Sequence, residues 1–518
     1  MNKNISPFGR YQSVSPFGGY RPVSPFVMVI FGATGDLTAK KLAPALYNLV
    51  SENFLPKKFI IVGFGRRQMR SDMFRDMLKQ SLLAFYKKDF DEAVWDRLSQ
   101  NIYYQQGVFE EKEPYQKLAD LLSAFDKEMG VCITRFFYLA TPPQYYSTIL
   151  THLDNSKLSE GCGQGSNKWT RVLIEKPFGR DADSARELEI QLAKTFEEKQ
   201  IYRIDHYYGK EAIQNIIAFR FANGIFEPIW NKDYIDHVQI TMAETGGVAG
   251  RIGFYEGVGA LRDVMQNHML AMLALVAMEQ PGNFSSESIR NARNDAISSI
   301  KLFTPDVIDK NVIRGQFGSG IIDGEPVEGY RMEKKVGQDS TTETYVAMKV
   351  FLEGDRWRGV PWYLRCGKRL AKGAVEISIV FKQTCHILFR EIGCPEEGNI
   401  LTMRISPNPG IGVRFIVRSP GHTFKLAATN MDFSYKTSFE KEKEIDAYGH
   451  ILREVIKGDQ MLFNDSREMK AAWKFISMIL SHWEKNPGVS FPNYKAGSWG
   501  PKEALDLIKE DGRHWILL

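Results

Sequence analysis

The sequence is poor in cysteine and lacks any long apolar run, and these two absences exclude several classes of protein. Its 518 residues include five cysteines, and none of them forms a Cys-x-x-Cys pair. Their odd number and spacing indicate neither a disulfide framework nor a zinc site, so we expect reduced thiols in a cytoplasmic protein. No apolar run approaches the roughly 20 residues that cross a bilayer, and we expect neither a membrane segment nor a secretory signal.

A strong charge of either sign is also missing. The 67 Lys and Arg residues and 62 Asp and Glu residues leave a formal net charge of +5. This small excess is compatible with an anionic small substrate but is far from the profile of a nucleic-acid-binding protein. Hydrophobic residues make up 43% of the chain and charged residues 25%, which is the balance of a globular protein. Because the chain is too long for one core, we expect two large domains.

The first 26 residues have an unusual composition. Ser-Pro-Phe occurs three times, beginning at positions 6, 15 and 24, with Gly, Tyr and Arg between the copies. Three short copies are too few for a repeat fold, and the Pro and Gly content predicts an irregular arm. The arm is either a flexible tail or a segment that lies across a neighbouring surface with its Phe side chains as anchors.

Residues 27–204 have the β-α-β pattern of a dinucleotide-binding domain. An apolar run at 27–31 predicts a buried strand, Gly-Ala-Thr-Gly-Asp-Leu follows at 32–37, and apolar residues recur at helical spacing over 40–49. A strand, a Gly-rich turn and a helix start form a phosphate cradle, because free backbone N–H groups and the helix dipole face the ligand. The Gly-x-x-Gly spacing matches the dinucleotide fingerprint only in part.

The end of the second strand bears on the choice of coenzyme. An NAD-preferring site usually places Asp or Glu there to bond the ribose 2′-hydroxyl, whereas this chain has Gly-Phe-Gly-Arg-Arg at 63–67. The guanidinium groups of Arg66 and Arg67 suit a 2′-phosphate, which predicts NADP rather than NAD. The alternative is a pair of surface arginines.

The run Arg-Ile-Asp-His-Tyr-Tyr-Gly-Lys at 203–210 concentrates ionisable groups. Asp205 is an acceptor, His206 titrates near neutral pH, and Lys210 is a compact cation suited to a phosphate. The run lies between a predicted strand and a predicted helix, where ligands bind in open α/β sheets. The alternative is a solvated strand-to-helix turn.

Residues 205–518 show strands without interleaved helices, which predicts an α+β domain with a mainly antiparallel sheet. Within it, the helix predicted at 258–279 is apolar almost all round but contains Asp263 and His268. Leaving a buried polar group unpaired costs about 1–3 kcal/mol, so these side chains need partners, either in a structural network or in a ligand. On the residues alone, a satisfied core histidine is slightly favoured over a base.

Several segments resemble the glucose-6-phosphate dehydrogenase family. The run at 203–211 is similar to its active-site signature, with Tyr208 where the family usually has Leu. The turns at 32–37 and 62–67 resemble its coenzyme-binding segments. Residues 175–179 resemble the family segment that bridges coenzyme and sugar, and residues 262–268 resemble the helix with the catalytic His. Residues 360–369 resemble a substrate segment, and residues 494–501 resemble the C-terminal segment.

The resemblance extends from about residue 27 to 501 and implies fold, reaction and partners. The implied fold is a Rossmann-type NADP-binding domain followed by a larger α+β domain that binds substrate and forms dimers. The implied reaction is the oxidation of D-glucose 6-phosphate to 6-phospho-D-glucono-1,5-lactone with reduction of NADP, the first step of the oxidative pentose phosphate pathway. A homodimer or homotetramer is implied, and no metal is needed to oxidise an anomeric hydroxyl.

The resemblance also implies roles for individual residues. His268 is the general base, and Asp205 orients it and stabilises the imidazolium that forms. The phosphate is held by His206, Tyr207 and Lys210. The sugar contacts are Lys176, Glu244, Asp263, Lys368 and, by a looser match, Lys372. The coenzyme contacts are Gly32, Ala33, Thr34, Gly35, Asp36, Leu37, Arg66, Arg67, Tyr146 and Lys176. Ser406 stands where the family commonly has Gln, so no substrate contact is carried over there.

Two other functions are compatible with parts of the pattern. One is a Rossmann-type oxidoreductase acting on an unphosphorylated sugar, since Glu-Lys-Pro also occurs in such enzymes, but the cations at 203–210 argue against it. The other is a non-catalytic NADP-binding sensor, against which the combination of Asp205, Lys210 and His268 argues.

Overall fold

The computed structural model describes residues 24–516 except 131, 162–169, 249, 384–388, 390–397 and 440–444. Two of the three Ser-Pro-Phe copies in the predicted arm lie outside these residues. The third does not belong wholly to an irregular arm, because its Phe26 begins a strand and is buried.

One expectation about the cysteines is wrong. Cys132 is disulfide-bonded, whereas Cys366 is free and buried. Spacing along the chain does not limit which thiols meet in space, so the sequence argument against a disulfide fails at Cys132. The other three cysteines, Cys162, Cys385 and Cys394, lie outside the described residues.

The first domain is built on an open parallel sheet. Its strand order is β3-β2-β1-β4-β5-β6, the order of dinucleotide-binding folds. The strands are β1 (Phe26–Phe31), β2 (Phe59–Gly65), β3 (Ile102–Gln106), β4 (Thr134–Leu139), β5 (Thr170–Glu175) and β6 (Ile201–Ile204). The helices are α1 (Ala43–Ser51), α2 (Ser71–Tyr86), α3 (Glu92–Ser99), α4 (Glu113–Met129), α5 (Tyr146–Asn155) and α6 (Ala182–Thr195). The Rossmann-type prediction is confirmed.

The central strands of this sheet are continuous apolar runs because both of their faces are covered. Every residue of β1 and β2 is buried, so neither strand shows an alternation of polar and apolar side chains. Gly63 allows close packing against the sheet, since a Cβ there would lie 2.6 Å from the Phe74 ring. The sheet therefore presents its carboxyl edge, rather than its faces, to a ligand.

The second domain contains an eight-stranded, mainly antiparallel sheet, as predicted. Its order is β17-β16-β15-β14-β7-β13-β12-β8, and β7 with β13 is the only parallel pair among the described strands of this sheet. These strands are β7 (Ile235–Ala243), β8 (Val312–Gly315), β12 (Tyr345–Phe351), β13 (Pro361–Gly367), β14 (Ala374–Phe381), β15 (Ile400–Ser406), β16 (Gly410–Arg418) and β17 (Leu426–Ser434). Short strands are β9 (Phe317–Gly318), β10 (Gly320–Ile322), β11 (Glu325–Val327) and β18 (Tyr494–Lys495).

Helices flank this sheet. They are α7 (Glu211–Ala222), α8 (Ile252–Tyr255), α9 (Leu270–Ala277), α10 (Ser286–Ser298), α11 (Pro305–Asn311), α12 (Tyr435–Ser438), α13 (Ala447–Lys457), α14 (Ser466–Lys485) and α15 (Lys502–Lys509). None of the described helices is both long and apolar enough to span a bilayer.

The helix predicted at 258–279 is only partly α-helical. Residues Leu261–Met269 form a π-helix that continues into α9. In a π-helix the backbone bonds join residues five apart, and such segments are frequent at functional sites. Asp263 and His268 are five apart, so this winding brings them to the same side of the helix.

Candidate active site

Lys176 and Asp205 emerge side by side from the carboxyl edge of the first sheet. The last residues of β5 and β6 are paired, with Glu175 opposite Ile204, so the residues that follow them are neighbours. Ligands of open α/β sheets bind at this edge. The peptide bond between Lys176 and Pro177 is cis, as the sequence allowed.

His268 reaches this edge from the π-helix of the second domain. Its Nδ1 lies 2.7 Å from Oδ1 of Asp205, and both side chains are buried. On the other side of the ring, the Lys176 ammonium lies 2.7 Å from Nε2. An ammonium group has no lone pair, so Nε2 accepts and the proton of the neutral ring is on Nδ1, facing Asp205. This tautomer keeps the Nε2 lone pair for an incoming proton, as a general base requires.

Burial and neighbouring charge set the ionisation of the pair. Burial would raise the pKa of Asp205, but the charge and hydrogen bond of His268 outweigh it and hold that pKa below its ordinary value. Burial lowers the pKa of His268, and the Lys176 cation adds to this against the opposing effect of Asp205. The pair is therefore a carboxylate beside a neutral imidazole near pH 7.

The three predicted phosphate ligands surround the same imidazole. The Tyr207 ring stacks on His268 with centroids 4.1 Å apart, and the Lys210 ammonium lies 4.1 Å from the centroid of Tyr207. The His206 ring meets His268 edge-on at 4.9 Å. The backbone N–H of Tyr207 donates to Oδ1 of Asp205 over 3.0 Å, which fixes the turn on the carboxylate. One small ligand can therefore contact the predicted phosphate ligands and the predicted base together.

Burial disfavours the charged forms of two groups in this cluster, His206 and Lys210. Burial, followed by the nearby His268, lowers the pKa of His206 to about 3. Burial also lowers the pKa of Lys210 below its ordinary value. A phosphate beside these groups would favour their charged forms, so the cluster fits an anionic ligand.

Glu244 and Lys368 form a second pair, at the edge of the second sheet. β7 and β13 are parallel neighbours with Ala243 opposite Gly367, so the residues that follow lie together. Lys368 is buried, and its ammonium donates to Oε2 of Glu244 over 2.9 Å. Lys372 is exposed in the turn before β14, and no ion pair joins it to Glu244 among the described residues.

Asp263 contacts two cations, Lys176 and Arg251. Its carbonyl oxygen accepts a hydrogen bond of 2.9 Å from Lys176, and its Oδ1 lies 3.6 Å from the same ammonium. The Arg251 guanidinium lies 3.2 Å from Oδ1. Burial would raise the pKa of Asp263, but Lys176 and Arg251 hold it below the ordinary value. Sequence reasoning missed Arg251, whose only local signal is a cation in a Gly-rich loop beyond β7.

The predicted coenzyme turn at 32–37 lies between β1 and the helical segment before α1. Gly32 has a φ of +80°, and a Cβ there would lie 2.5 Å from the carbonyl oxygen of Ala140, so no other residue fits. The hydroxyl groups of Thr38 and Thr141 are buried without a hydrogen-bond partner among the described residues. These free polar groups and the unobstructed Gly32 backbone fit the phosphate-bearing part of a dinucleotide.

Arg66 and Arg67 are exposed directly after β2. The Tyr104 hydroxyl donates to the carbonyl oxygen of Arg67 over 2.8 Å and so holds the turn that carries both arginines. Arg70 differs from them, because its guanidinium pairs with Asp72. The two predicted 2′-phosphate ligands are therefore accessible at the edge where the adenosine ribose binds in this fold.

Tyr146, another predicted coenzyme contact, is buried in α5. Its hydroxyl donates to the carbonyl oxygen of Glu175 over 2.9 Å. The structure therefore places Tyr146 against the strand end that carries Lys176, and a direct contact with coenzyme stays a prediction.

The spacing of Asp205, His206 and His268 is also compatible with a metal ion. One carboxylate oxygen and one ring nitrogen from each histidine lie within 4.8 Å of one another. The Lys176 ammonium already occupies Nε2 of His268 and would repel a second cation. The cluster is better suited to proton transfer than to metal binding.

The fold and this site define a class of protein: two-domain oxidoreductases that act on a CH–OH group with a nicotinamide coenzyme bound to the Rossmann-type domain. Comparison with known proteins narrows the class. Residues 29–215 match the family model for the glucose-6-phosphate dehydrogenase NAD binding domain, and residues 217–516 match that for the glucose-6-phosphate dehydrogenase C-terminal domain. The chain belongs to the glucose-6-phosphate dehydrogenase family.

Individual relatives agree over nearly the whole chain. It is 44% identical to glucose-6-phosphate 1-dehydrogenase of Chlamydia pneumoniae, over 94% of this chain and 95% of the relative. It is 40% identical to glucose-6-phosphate 1-dehydrogenase 2 of Mycobacterium bovis, over 94% of each. A solved structure of a glucose-6-phosphate dehydrogenase in complex with its substrate glucose 6-phosphate superposes with a TM-score of 0.86 at 31% identity, covering 95% of this chain and 99% of that one.

Proposed function

We propose that the protein oxidises D-glucose 6-phosphate at C1 to 6-phospho-D-glucono-1,5-lactone with NADP, the first step of the oxidative pentose phosphate pathway. The observation that carries this proposal is the neutral His268 ring held between Asp205 and Lys176, beside a cationic turn. The relatives named glucose-6-phosphate 1-dehydrogenase and the related structure with glucose 6-phosphate bound support the choice of substrate.

His268 takes the proton of the C1 hydroxyl on Nε2, and Asp205 stabilises the imidazolium that forms. As the proton leaves, the C1–O bond becomes a carbonyl bond and C1 releases a hydride. The nicotinamide, when bound, accepts that hydride. Lys176 contacts Nε2, so it has to move aside for the C1 hydroxyl while staying close enough to bind the sugar.

The other predicted ligands divide between the two ends of the substrate. His206, Tyr207 and Lys210 hold the 6-phosphate through charge-assisted hydrogen bonds. The hydroxyl groups of the sugar are bonded by Lys176 and by the second cluster, Glu244, Asp263 and Lys368. Lys372 is the weakest member of this set, because it is exposed.

NADP is the proposed coenzyme, and Arg66 is the group that distinguishes it from NAD. The Arg66 guanidinium is exposed where a 2′-phosphate would lie, and no acidic residue of the kind typical of NAD sites lies between Val62 and Ser71. Arg67 stacks on the adenine or points to solvent. The turn at 32–37 holds the pyrophosphate.

The domain organisation that we propose is an arm at 1–26, a coenzyme domain at 27–204 and a substrate and dimerisation domain at 205–518, in a cytoplasmic homodimer or homotetramer.

A surface for self-association is the end of the large sheet. β17 is an edge strand whose residues are all exposed or half-buried, and Met431 on it is 64% exposed. Its neighbour β16 exposes Phe415 and Val417. Long apolar sheet edges are normally covered by a partner.

The test is an absorbance assay of coenzyme reduction with glucose 6-phosphate and with glucose. We expect reduction of NADP with the phosphorylated sugar and a far lower catalytic efficiency with glucose. Equal efficiency with both sugars would favour an oxidoreductase for unphosphorylated sugars, and binding of NADP without turnover of either would favour a sensor.

A further inference from the structure

Glu175 carries a carboxylate that no step of the proposed reaction uses. It is the last residue of β5, directly before Lys176, and its Oε1 accepts a hydrogen bond of 2.5 Å from the Tyr138 hydroxyl. The Tyr448 phenol interacts electrostatically with the same carboxylate, and the Tyr146 hydroxyl donates to the Glu175 carbonyl oxygen. Three phenols from β4, α5 and α13 therefore converge on one residue at the edge of the site.

Tyr448 joins this carboxylate to the second domain. It is the second residue of α13, and the preceding residue, Ala447, packs so closely on the catalytic turn that a Cβ at Gly209 would lie 2.4 Å from its carbonyl oxygen. The Tyr448 ring lies parallel to the His206 ring with centroids 6.4 Å apart. The start of α13 thus contacts both Glu175 and the turn that carries Asp205.

We propose that Glu175 is a positioning residue, whose carboxylate, bonded by Tyr138 and close to the Tyr448 phenol, holds Lys176 and the catalytic turn in the geometry that proton transfer requires. The proposal rests on the proposed function, because it concerns the same site. Glu175 touches neither His268 nor Asp205 through its own hydrogen bonds among the described residues, so it acts through its neighbours.

The protonation of Glu175 decides whether this network forms as it stands. A carboxylate offers only acceptor oxygens to the phenols around it, whereas a carboxylic acid carries one O–H donor and fewer acceptor sites, so protonation changes the hydrogen bonds at Glu175. Burial raises the pKa of Glu175 to about 7, against the effects of Tyr138, Tyr448 and Lys176, and Asp205 raises it further. Glu175 therefore changes charge in the range where the enzyme is expected to work.

The order of the two titrations separates Glu175 from the base. The pKa of His268 is lowered from 6.5 by burial, so His268 is already neutral when Glu175 loses its proton. Turnover should therefore rise as the pH increases through about 7, because Glu175 becomes a carboxylate, and not because His268 becomes a base.

The first test is the pH dependence of kcat for Glu175→Gln. Glutamine keeps the size and one acceptor oxygen but cannot ionise. We expect kcat of the variant at high pH to fall up to about a hundredfold, the cost of a small misplacement of reacting groups. We also expect the rise of kcat with pH near 7, called the limb below, to disappear. KM for glucose 6-phosphate should change much less than kcat. If kcat of the variant rises with pH near 7 as in wild type and reaches the wild-type value, the proposal is overturned.

Tyr448→Phe tests the bridge without removing the charge. It deletes one hydroxyl and keeps the ring beside His206, so we expect a lower kcat with the limb retained. Tyr115→Phe is the matched control, since Tyr115 is a buried tyrosine of the same coenzyme domain as Glu175 whose hydroxyl donates to the Phe109 carbonyl oxygen over 3.0 Å. Equal losses of kcat in Tyr448→Phe and Tyr115→Phe would show that loss of any buried tyrosine hydroxyl has the same effect, and this would contradict the proposal.

An infrared difference titration of wild type against Glu175→Gln distinguishes failure of this inference from failure of the proposed function. We expect a carboxylic acid band that disappears as the pH rises through about 7. A missing band would overturn the inference even if the enzyme turns over glucose 6-phosphate. An inactive wild type would overturn the proposed function, but the band is measured without turnover.

Discussion

His268 Nδ1 and Asp205 Oδ1 lie 2.7 Å apart, at the junction between the two domains. Asp205 follows β6 of the first domain, whereas His268 lies in the π-helix of the second. The π-helical winding also places Asp263 on the side of His268, so that both bond to Lys176. The contact of His268 with Lys176, which belongs to the first domain, therefore forms only when the domains are docked.

Replacing His268 by Asn should remove the base. We predict a fall in kcat of about 10²–10⁴-fold, the usual contribution of general base catalysis. KM for glucose 6-phosphate should change little, because other side chains hold the phosphate. Steady-state kinetics on the variant, with the exposed His422→Asn as a control, give the answer. A variant that keeps more than about a tenth of wild-type kcat would remove His268 from the mechanism.

Replacing Lys176 by Gln should raise the pKa of His268. The Lys176 cation is one cause of the lowered pKa, since it destabilises the imidazolium 2.7 Å away. Without it, the imidazole protonates at a higher pH. An NMR titration of the His268 ring in the substrate-free protein measures the shift, and Lys176→Arg retains the charge as a control. A pKa that stays constant or falls in the Gln variant would contradict the contact.

Lys210→Ala tests the phosphate cluster. A charge-assisted contact contributes about 1.5–3 kcal/mol, so KM for glucose 6-phosphate should rise roughly ten- to a hundredfold. Turnover can fall as well if the sugar is misplaced. The exposed Lys436→Ala serves as a control for loss of a cation. If KM for the phosphorylated sugar is the same in wild type and Lys210→Ala, the phosphate lies elsewhere.

Arg66→Ala tests the choice of coenzyme. We predict that selectivity for NADP over NAD falls about ten- to a hundredfold, the effect of one charged contact, while efficiency with NAD hardly changes. Arg70→Ala is a matched control in the same segment, because Arg70 pairs with Asp72 and is not expected to contact the 2′-phosphate. Equal losses with both coenzymes in Arg66→Ala would show that Arg66 supports the fold instead.

Much of this architecture is predictable because it depends on local signals. The apolar run of β1, the turn at 32–37 and the cationic run at 203–210 each combine periodicity with residue chemistry in a short segment. Parallel strands end at one edge, so the segments after β5 and β6 were expected in one crevice. The antiparallel sheet followed from the alternation of its strands.

The remaining features depend on tertiary contacts that no local pattern records. Tyr448 interacts with Glu175 across the domain boundary, and nothing near either residue in the sequence indicates the pairing. A π-helix stands where an α-helix was expected, and two of its side chains, Arg262 and His268, contact the first domain. Cys132 is disulfide-bonded although its spacing gives no signal.

The most direct test of the account is the fate of the C1 hydrogen. Wild-type protein is incubated with NADP and D-glucose 6-phosphate that carries deuterium at C1, and the products are analysed by mass spectrometry. We predict reduced NADP that contains the deuterium, together with 6-phosphogluconolactone or its hydrolysis product, and neither product from His268→Asn at comparable times. Reduced coenzyme without deuterium, or equal deuterium transfer by His268→Asn, would contradict oxidation at C1 by the Asp205–His268 pair.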